Sequence, residues 1–266
     1  MNFSASTDYH GDGRYMQHVN TMQHIHKITF RPEDAVLDVG CGTGEETKSI
    51  AGKVKSVTGI DNSEEMLALA RTRNPAPNLT YLYGDARDCG VNPDLVGRFD
   101  KAVSFFVLHW LPGPAIARAL RGILACLKRG GEALFILANR TPVTADADQF
   151  LKSHPEWGKY VKDYKSSYNP WNQTETGMEK LLTACGWTNV QCELYPVTTS
   201  LNERRTKLLF KTAALGQTAL IPEREQEAYL EDMWQWALSR YQDPAQAGHV
   251  VFPKENAVVR AVKPQV

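Results

Sequence analysis

The chain has 266 residues, enough for one large domain or a domain with a lid, and enough to bury a sizeable core. Thirty Lys and Arg balance thirty Asp and Glu, so no basic excess points to nucleic acid or to an anionic membrane surface. No run of about 18 apolar residues occurs, the N-terminus has no apolar signal region, and the five cysteines form no C-x-x-C pair. Reduced thiols and a cytoplasmic location are therefore expected.

Residues 14–28 carry Tyr15, His18, Val19, Met22 and Ile25 at helical spacing, which predicts a helix. His24 and His26 stand two apart, so they do not face one site on a helix and read as solvent or packing groups. The rest of the chain is organised around the stretch 36–44, VLDVGCGTG. Val36, Leu37 and Val39 predict a buried parallel strand. Gly40, Gly42 and Gly44 let the backbone turn sharply and approach a ligand closely. A helix over 45–51 would then aim its N-terminal N–H groups at that ligand. A second strand over 56–60 ends at Asp61, where a carboxylate can accept from ribose hydroxyls.

Ser63 is placed to cap a helix that runs to Arg73 and stops at Asn74-Pro75-Ala76-Pro77. Strands are expected over 79–83, ended by Gly84-Asp85-Ala86, over 100–106 and over 132–137. A helix over 115–127 and a turn over 128–131 separate the last two. This alternation predicts an α/β fold, doubly wound around a mostly parallel sheet. Beyond 145 the rhythm changes. Helices are expected over 145–163, 174–185, 202–214 and 222–240, a loop over 166–173, a strand over 191–197 and a last strand from 250–252 and 257–262. The expected division is a Rossmann-like core of 30–140, 174–200 and 248–263, with helical cap segments at 145–170 and 200–240.

Glycine spacing alone fits any strand-to-helix turn, and each acid alone could be a cap or turn former. The acid ahead of Gly40 would repel a pyrophosphate and suits a zwitterionic amino-acid head group. With that acid, VLDVGCGTG resembles the first motif of class I S-adenosyl-L-methionine (SAM)-dependent methyltransferases. The resemblance implies SAM as cofactor, S-adenosyl-L-homocysteine as product, and no metal. Asp38, Gly40 and Gly42 would take the methionine end and Asp61 the ribose. Asp85 and the Ala86 N–H would read adenine N6 and N1. Met66, or a residue beside Asn62, would cover an adenine face, and Phe105 would lie beside the sulfonium.

The segment 105–111, FFVLHWL, resembles the stretch after the fourth strand in arthropod juvenile hormone acid (farnesoic acid) O-methyltransferases. Residues 156–163, Asn169-Pro170-Trp171, 181–187 and 221–232 agree with that family too. In it, a Gln on the N-terminal helix and the Trp after strand four hold the substrate carboxylate. Gln17 and Trp110 match those positions, with Gln23 as the neighbouring alternative, although YHGDGRYMQHVN departs from the family pattern. His109 would line the acid pocket without acting as a base.

The chemistry agrees. A carboxylic acid titrates at about pH 4, so at neutral pH it is already a nucleophile and no general base is needed. Trp157, Tyr160, Tyr164, Tyr168, Trp171, Met233, Trp234 and Trp236 are candidate walls for an apolar substrate, or ordinary core. The expected partner is a small lipophilic carboxylic acid, and the expected assembly a monomer or homodimer. A methyltransferase of small polycarboxylates such as trans-aconitate is the alternative enzyme. A non-catalytic SAM-binding protein is the alternative of another class.

Overall fold

A computed structural model describes residues 14–165, 171–214 and 216–265. In chain order its elements are α1 (Tyr15–His24), β1 (Ala35–Val39), α2 (Glu45–Ala51), β2 (Ser56–Asp61), α3 (Glu64–Arg73), β3 (Leu79–Tyr83), β4 (Phe99–Phe105), α4 (Gly113–Cys126), β5 (Leu127–Arg140), α5 (Pro142–Ser153), α6 (Gly158–Val161), α7 (Glu175–Ala184), β6 (Thr188–Pro196), β7 (Leu201–Asn202), α8 (Glu203–Leu209), α9 (Gln226–Tyr241), β8 (His249–Val250) and β9 (Glu255–Val262). Two compact units share them. Among the described residues a sheet unit holds 21–139, 171–195 and 256–265, and a helical unit holds 14–20, 140–165 and the described part of 196–255.

The sheet unit is built on seven strands in the order β3-β2-β1-β4-β5-β9-β6. β1 runs parallel to β2 and β4, β2 to β3, and β4 to β5. Their C-terminal ends therefore lie along one edge. Strand order reverses between β1 and β4, the point where open α/β sheets bind ligands. β1 lies mid-sheet, which explains its near-continuous apolar run: Val36, Leu37 and Val39 are fully buried. The mostly parallel, doubly wound sheet is the one its sequence predicts.

Local chemistry sets the helix ends. Ser63 Oγ accepts from the Met66 N–H, and Thr174 Oγ1 from the Gly177 N–H, as N-caps do. Behind the sheet, Leu120, Ile123, Phe135 and Trp187 form one buried cluster. The Trp187 indole donates to the Leu120 carbonyl at 3.2 Å, so its only polar atom is satisfied.

The helical unit has its own core of Leu151, Trp157, Val161, Phe210, Tyr229, Met233 and Trp234. Trp157 is fully buried, stands edge-on to Tyr229 and donates its indole N–H to Asp232 at 2.8 Å.

Several elements differ from their sequence expectations. The helix expected over 145–163 is two helices, α5 and α6. Pro155 disfavours helical geometry in the residue before it, and His154 is extended (φ −70°, ψ 132°). The helix expected over 14–28 ends at His24 and continues as a 3-10 turn, Ile25–Lys27. The one over 202–214 is α8 followed by a π turn, Phe210–Ala214. The one over 222–240 starts as a 3-10 turn, Glu223–Glu225. β5 runs through 128–131, expected as a turn, with Gly130 at φ 73° and a register shift against β4. The expected last strand is two, β8 and β9. Of the expected loop, 166–170 lies outside the described residues, as does Tyr168. Trp171 belongs to the core of the sheet unit.

All five cysteines are free and buried. Among the described residues no helix is long and apolar enough to cross a membrane.

Candidate active site

The loop after β1 folds back on the end of β2. The Gly40 and Cys41 N–H groups both donate to the Ile60 carbonyl, at 2.7 and 3.0 Å. The Gly42 N–H donates to Asp61 Oδ2 at 2.9 Å. Gly40, Gly42 and Gly44 all have positive φ, but for different neighbours. A Cβ on Gly40 would meet Val107 Cγ2 at 2.2 Å, and one on Gly44 would meet Tyr81 Oη at 2.2 Å. A Cβ on Gly42 would meet nothing within 4 Å. Two glycines thus seat the loop against protein, and the third faces open space.

The acids cluster at the same edge. Asp38 is 2 % exposed and accepts from Thr47 Oγ1 at 2.7 Å, so its charge is buried with a partner from α2. Asp61 ends β2. Its Oδ1 accepts from the Ser63 N–H and its Oδ2 from the Gly42 N–H, both at 2.9 Å. These two bonds fix the carboxylate plane. Asp85 lies just beyond β3. Arg87 clamps it through Nε at 2.9 Å and Nη2 at 2.5 Å, and its backbone N–H adds a bond at 2.8 Å. The Arg87 guanidinium holds the Asp85 carboxyl below the usual carboxylate range. Asn62 is exposed, with Nδ2 3.5 Å from Asp85 Oδ2. Met66 is buried in the first turn of α3. Ala86 is half-buried, and its carbonyl accepts from Cys89 Sγ.

Phe105 is buried and ends β4. Phe106 then turns the chain at φ 60°, a conformation costly for a bulky side chain. It leads into the 3-10 turn Leu108–Trp110. His109 is 3 % exposed, with Nδ1 3.4 Å from the Ala138 N–H. The half-buried Trp110 ring tilts against it, centroids 5.4 Å apart. Gln17 belongs to the helical unit, on α1. Its Oε1 is buried and has no hydrogen-bond partner among the described residues.

Sequence reasoning missed four supporting residues. Thr47 carries Asp38. Tyr81 donates to the Asn74 carbonyl at 2.9 Å and the Gly44 carbonyl at 3.3 Å, and burial pushes its phenol up. Arg87 clamps Asp85, and Phe106 makes the turn. Only Arg87 left a signal, an arginine two residues after an acid, where an Asx turn can form.

Residues 36–131 match the family model described as "Methyltransferase domain". Those residues are a methyltransferase domain. The chain is 29 % identical over 222 residues to the juvenile hormone acid O-methyltransferase of Bombyx mori, covering 79 % of this chain and 76 % of that one. It is 36 % identical over 121 residues to the trans-aconitate 2-methyltransferase of Deinococcus radiodurans, covering 45 % and 42 %. A structure of the Haemonchus contortus phosphoethanolamine N-methyltransferase 2, solved in complex with SAM, matches 99 % of this chain and 58 % of that chain. Its TM-score is 0.60 and its identity 16 %, a likeness of fold.

The residues present fit SAM. The open face of Gly42 leaves room beside the backbone, and buried or anchored carboxylates suit a cationic ligand better than a pyrophosphate.

Proposed function

We propose that this methyltransferase esterifies the carboxylate of a lipophilic acid of the farnesoic acid or juvenile hormone acid kind, releasing S-adenosyl-L-homocysteine. The observation that carries the reading is the reach of the similarity. The Bombyx mori relative aligns with 79 % of the chain, whereas the methyltransferase model covers only 36–131. A shared cofactor domain alone does not account for that extent.

When bound, SAM supplies an electrophilic methyl group on a sulfonium. Asp38 and the Gly40–Gly42 backbone would hold its methionine end, and Asp61 its ribose. Asp85 and Ala86 would hold the adenine edge, with Met66 and Asn62 at the ring and Phe105 near the sulfur. Trp110 and Gln17 would donate to the acid, and His109 would pack beside Trp110. Neutral donors orient a carboxylate without quenching its charge, and orientation is what this reaction needs. The partnerless Oε1 of Gln17 is an acceptor, so its contact to a carboxylate would have to come from the amide N–H. The chain needs no metal and works in the cytoplasm as a monomer or homodimer.

The Deinococcus radiodurans relative favours small polycarboxylates as a second reading, but its alignment covers only 45 % of the chain. Incubation with SAM and a panel of acids, read by mass spectrometry, tests the proposal. The panel holds farnesoic acid, juvenile hormone acid, lauric acid, trans-aconitate and an aromatic acid. Methyl esters of the isoprenoid acids are expected. Turnover of aconitate alone supports the second reading and sinks the first, and no ester from any acid leaves a SAM-binding protein.

A further inference from the structure

Asp85 and Arg87 form the most heavily bonded ion pair at the site edge. The Asp85 side chain is 16 % exposed and Arg87, outside it, 47 %. Oδ1 accepts from the Arg87 backbone N–H and Nε, and Oδ2 from Nη2. The fork fixes both oxygens in one plane, as bidentate guanidinium–carboxylate pairs do. The loop is itself fastened. The Asp88 and Cys89 N–H groups donate to the Asp85 carbonyl at 3.0 Å. Arg118, from α4, donates its Nε to the Arg87 carbonyl at 2.9 Å and pairs with Asp88. The fourth contact to Asp85, from Asn62, is the longest at 3.5 Å. It is the one that an incoming amino group would replace at least cost.

We propose that Arg87 is the positioning residue that sets base selection in the cofactor site: by clamping Asp85 as a flat, acceptor-only group it makes the site choose a 6-amino purine over a 6-oxo purine. This rests on the assignment of Asp85 to the adenine edge. An ionised carboxylate has no proton to give. It accepts from an exocyclic amino group and repels a carbonyl oxygen in the same place. Arg87 supports both conditions. It lowers the Asp85 carboxyl, so the proton stays off, and it stops the carboxylate rotating to face the oxo group with one edge only. Sites built to hydrogen-bond one group reject the analogue lacking it far more strongly than apolar pockets discriminate by size.

The test is calorimetric titration of S-adenosyl-L-homocysteine and S-inosyl-L-homocysteine into the wild-type protein, Arg87→Ala, Arg87→Lys and Asp85→Asn. The wild type is expected to prefer the adenosyl compound by about tenfold or more. Arg87→Ala narrows that ratio at least about threefold. Arg87→Lys does not restore it, because an ammonium lacks the planar fork. The ratio is the telling quantity, since a purely structural role would weaken both ligands together and leave it unchanged. If Asp85→Asn narrows the ratio and both Arg87 variants keep it, the role of Arg87 is wrong while that of Asp85 stands. If Asp85→Asn keeps the wild-type ratio, Asp85 does not read the base, and both assignments fall. Arg87 is half-exposed, so its variants are expected to fold, and thermal midpoints taken alongside check this.

Discussion

The strand-end acids of the sheet unit and two glutamines of the helical unit are partnered differently, although Trp171 Nε1 in the sheet unit is also buried without a partner among the described residues. In the sheet unit, the acids at the strand ends are anchored by their own chain: Asp38 by Thr47, Asp61 by Ser63 and Gly42, Asp85 by Arg87. In the helical unit, Oε1 of Gln17 and of Gln217 is buried with no hydrogen-bond partner among the described residues. An unmade buried hydrogen bond costs about 1–3 kcal/mol, so such atoms persist where water or a ligand completes them. The anchored acids are the residues proposed for SAM, and Gln17 is one of those proposed for the acid.

The comparison can be broken in order of effect. In the helical unit, Trp157→Ala removes a fully buried indole and its hydrogen bond to Asp232. A loss of about 3–5 kcal/mol is expected from urea unfolding. In the sheet unit, Gly44→Ala and Gly42→Ala should separate packing from binding. Gly44→Ala drives a Cβ into Tyr81 and should cost about 2–4 kcal/mol, read as a lower thermal midpoint. Gly42→Ala meets no protein atom and should cost only about 1–2 kcal/mol of backbone strain. It should nonetheless weaken SAM about tenfold or more. Unchanged SAM affinity would show that the open face of Gly42 is not the cofactor's.

Asp61→Ala removes the acceptor of two backbone N–H groups as well as the expected ribose contact. SAM affinity should fall by about 1.5–3 kcal/mol in equilibrium dialysis, the range for hydrogen bonds to a charged group. Trp110→Phe sharpens the comparison from the substrate side. SAM affinity should hold while kcat/KM for the acid falls about tenfold, or about 1.4 kcal/mol. Normal turnover removes the indole from the acid clamp.

The smallest effect is in pH. Asp85 titrates lower in the folded chain than unfolded, where its pKa is about 3.9. Its pairing with Arg87 therefore stabilises fully above that unfolded value and is lost as pH falls through the lower folded one. Arg87→Ala should lower stability slightly at neutral pH, leave it unchanged once Asp85 is protonated, and so flatten the acid limb of the stability curve below about pH 5.

Legibility in the sequence divides along the same line between the units. The sheet was legible because a central parallel strand needs an unbroken apolar run, and Val36-Leu37-Asp38-Val39 interrupts it only at Asp38, which Thr47 partners. Gly40, Gly42 and Gly44 were legible as a turn, but not their separate duties, since only packing distinguishes a glycine against Val107 from one facing space. Ser63 and Thr174 were legible as caps because their bonds are local. Thr47 on Asp38 and Tyr81 on Gly44 were not, because those contacts join residues 9 and 37 positions apart. Phe106 left no trace, as nothing marks a phenylalanine that must turn left-handed. In the helical unit, apolar periodicity runs on through His154 although Pro155 breaks the helix. Aromatic residues there read equally well as pocket or as core. Trp157 and Met233 are fully buried and Trp234 nearly so.

The central claim is that a cofactor site shared by many methyltransferases here serves a lipophilic acid. The most direct test is a competition. Equimolar farnesoic acid and trans-aconitate share one vessel with the enzyme and limiting SAM, and the two methyl esters are counted by mass spectrometry. A large excess of methyl farnesoate is the predicted result. An excess of methyl aconitate would contradict the account and move the reading to small polycarboxylates.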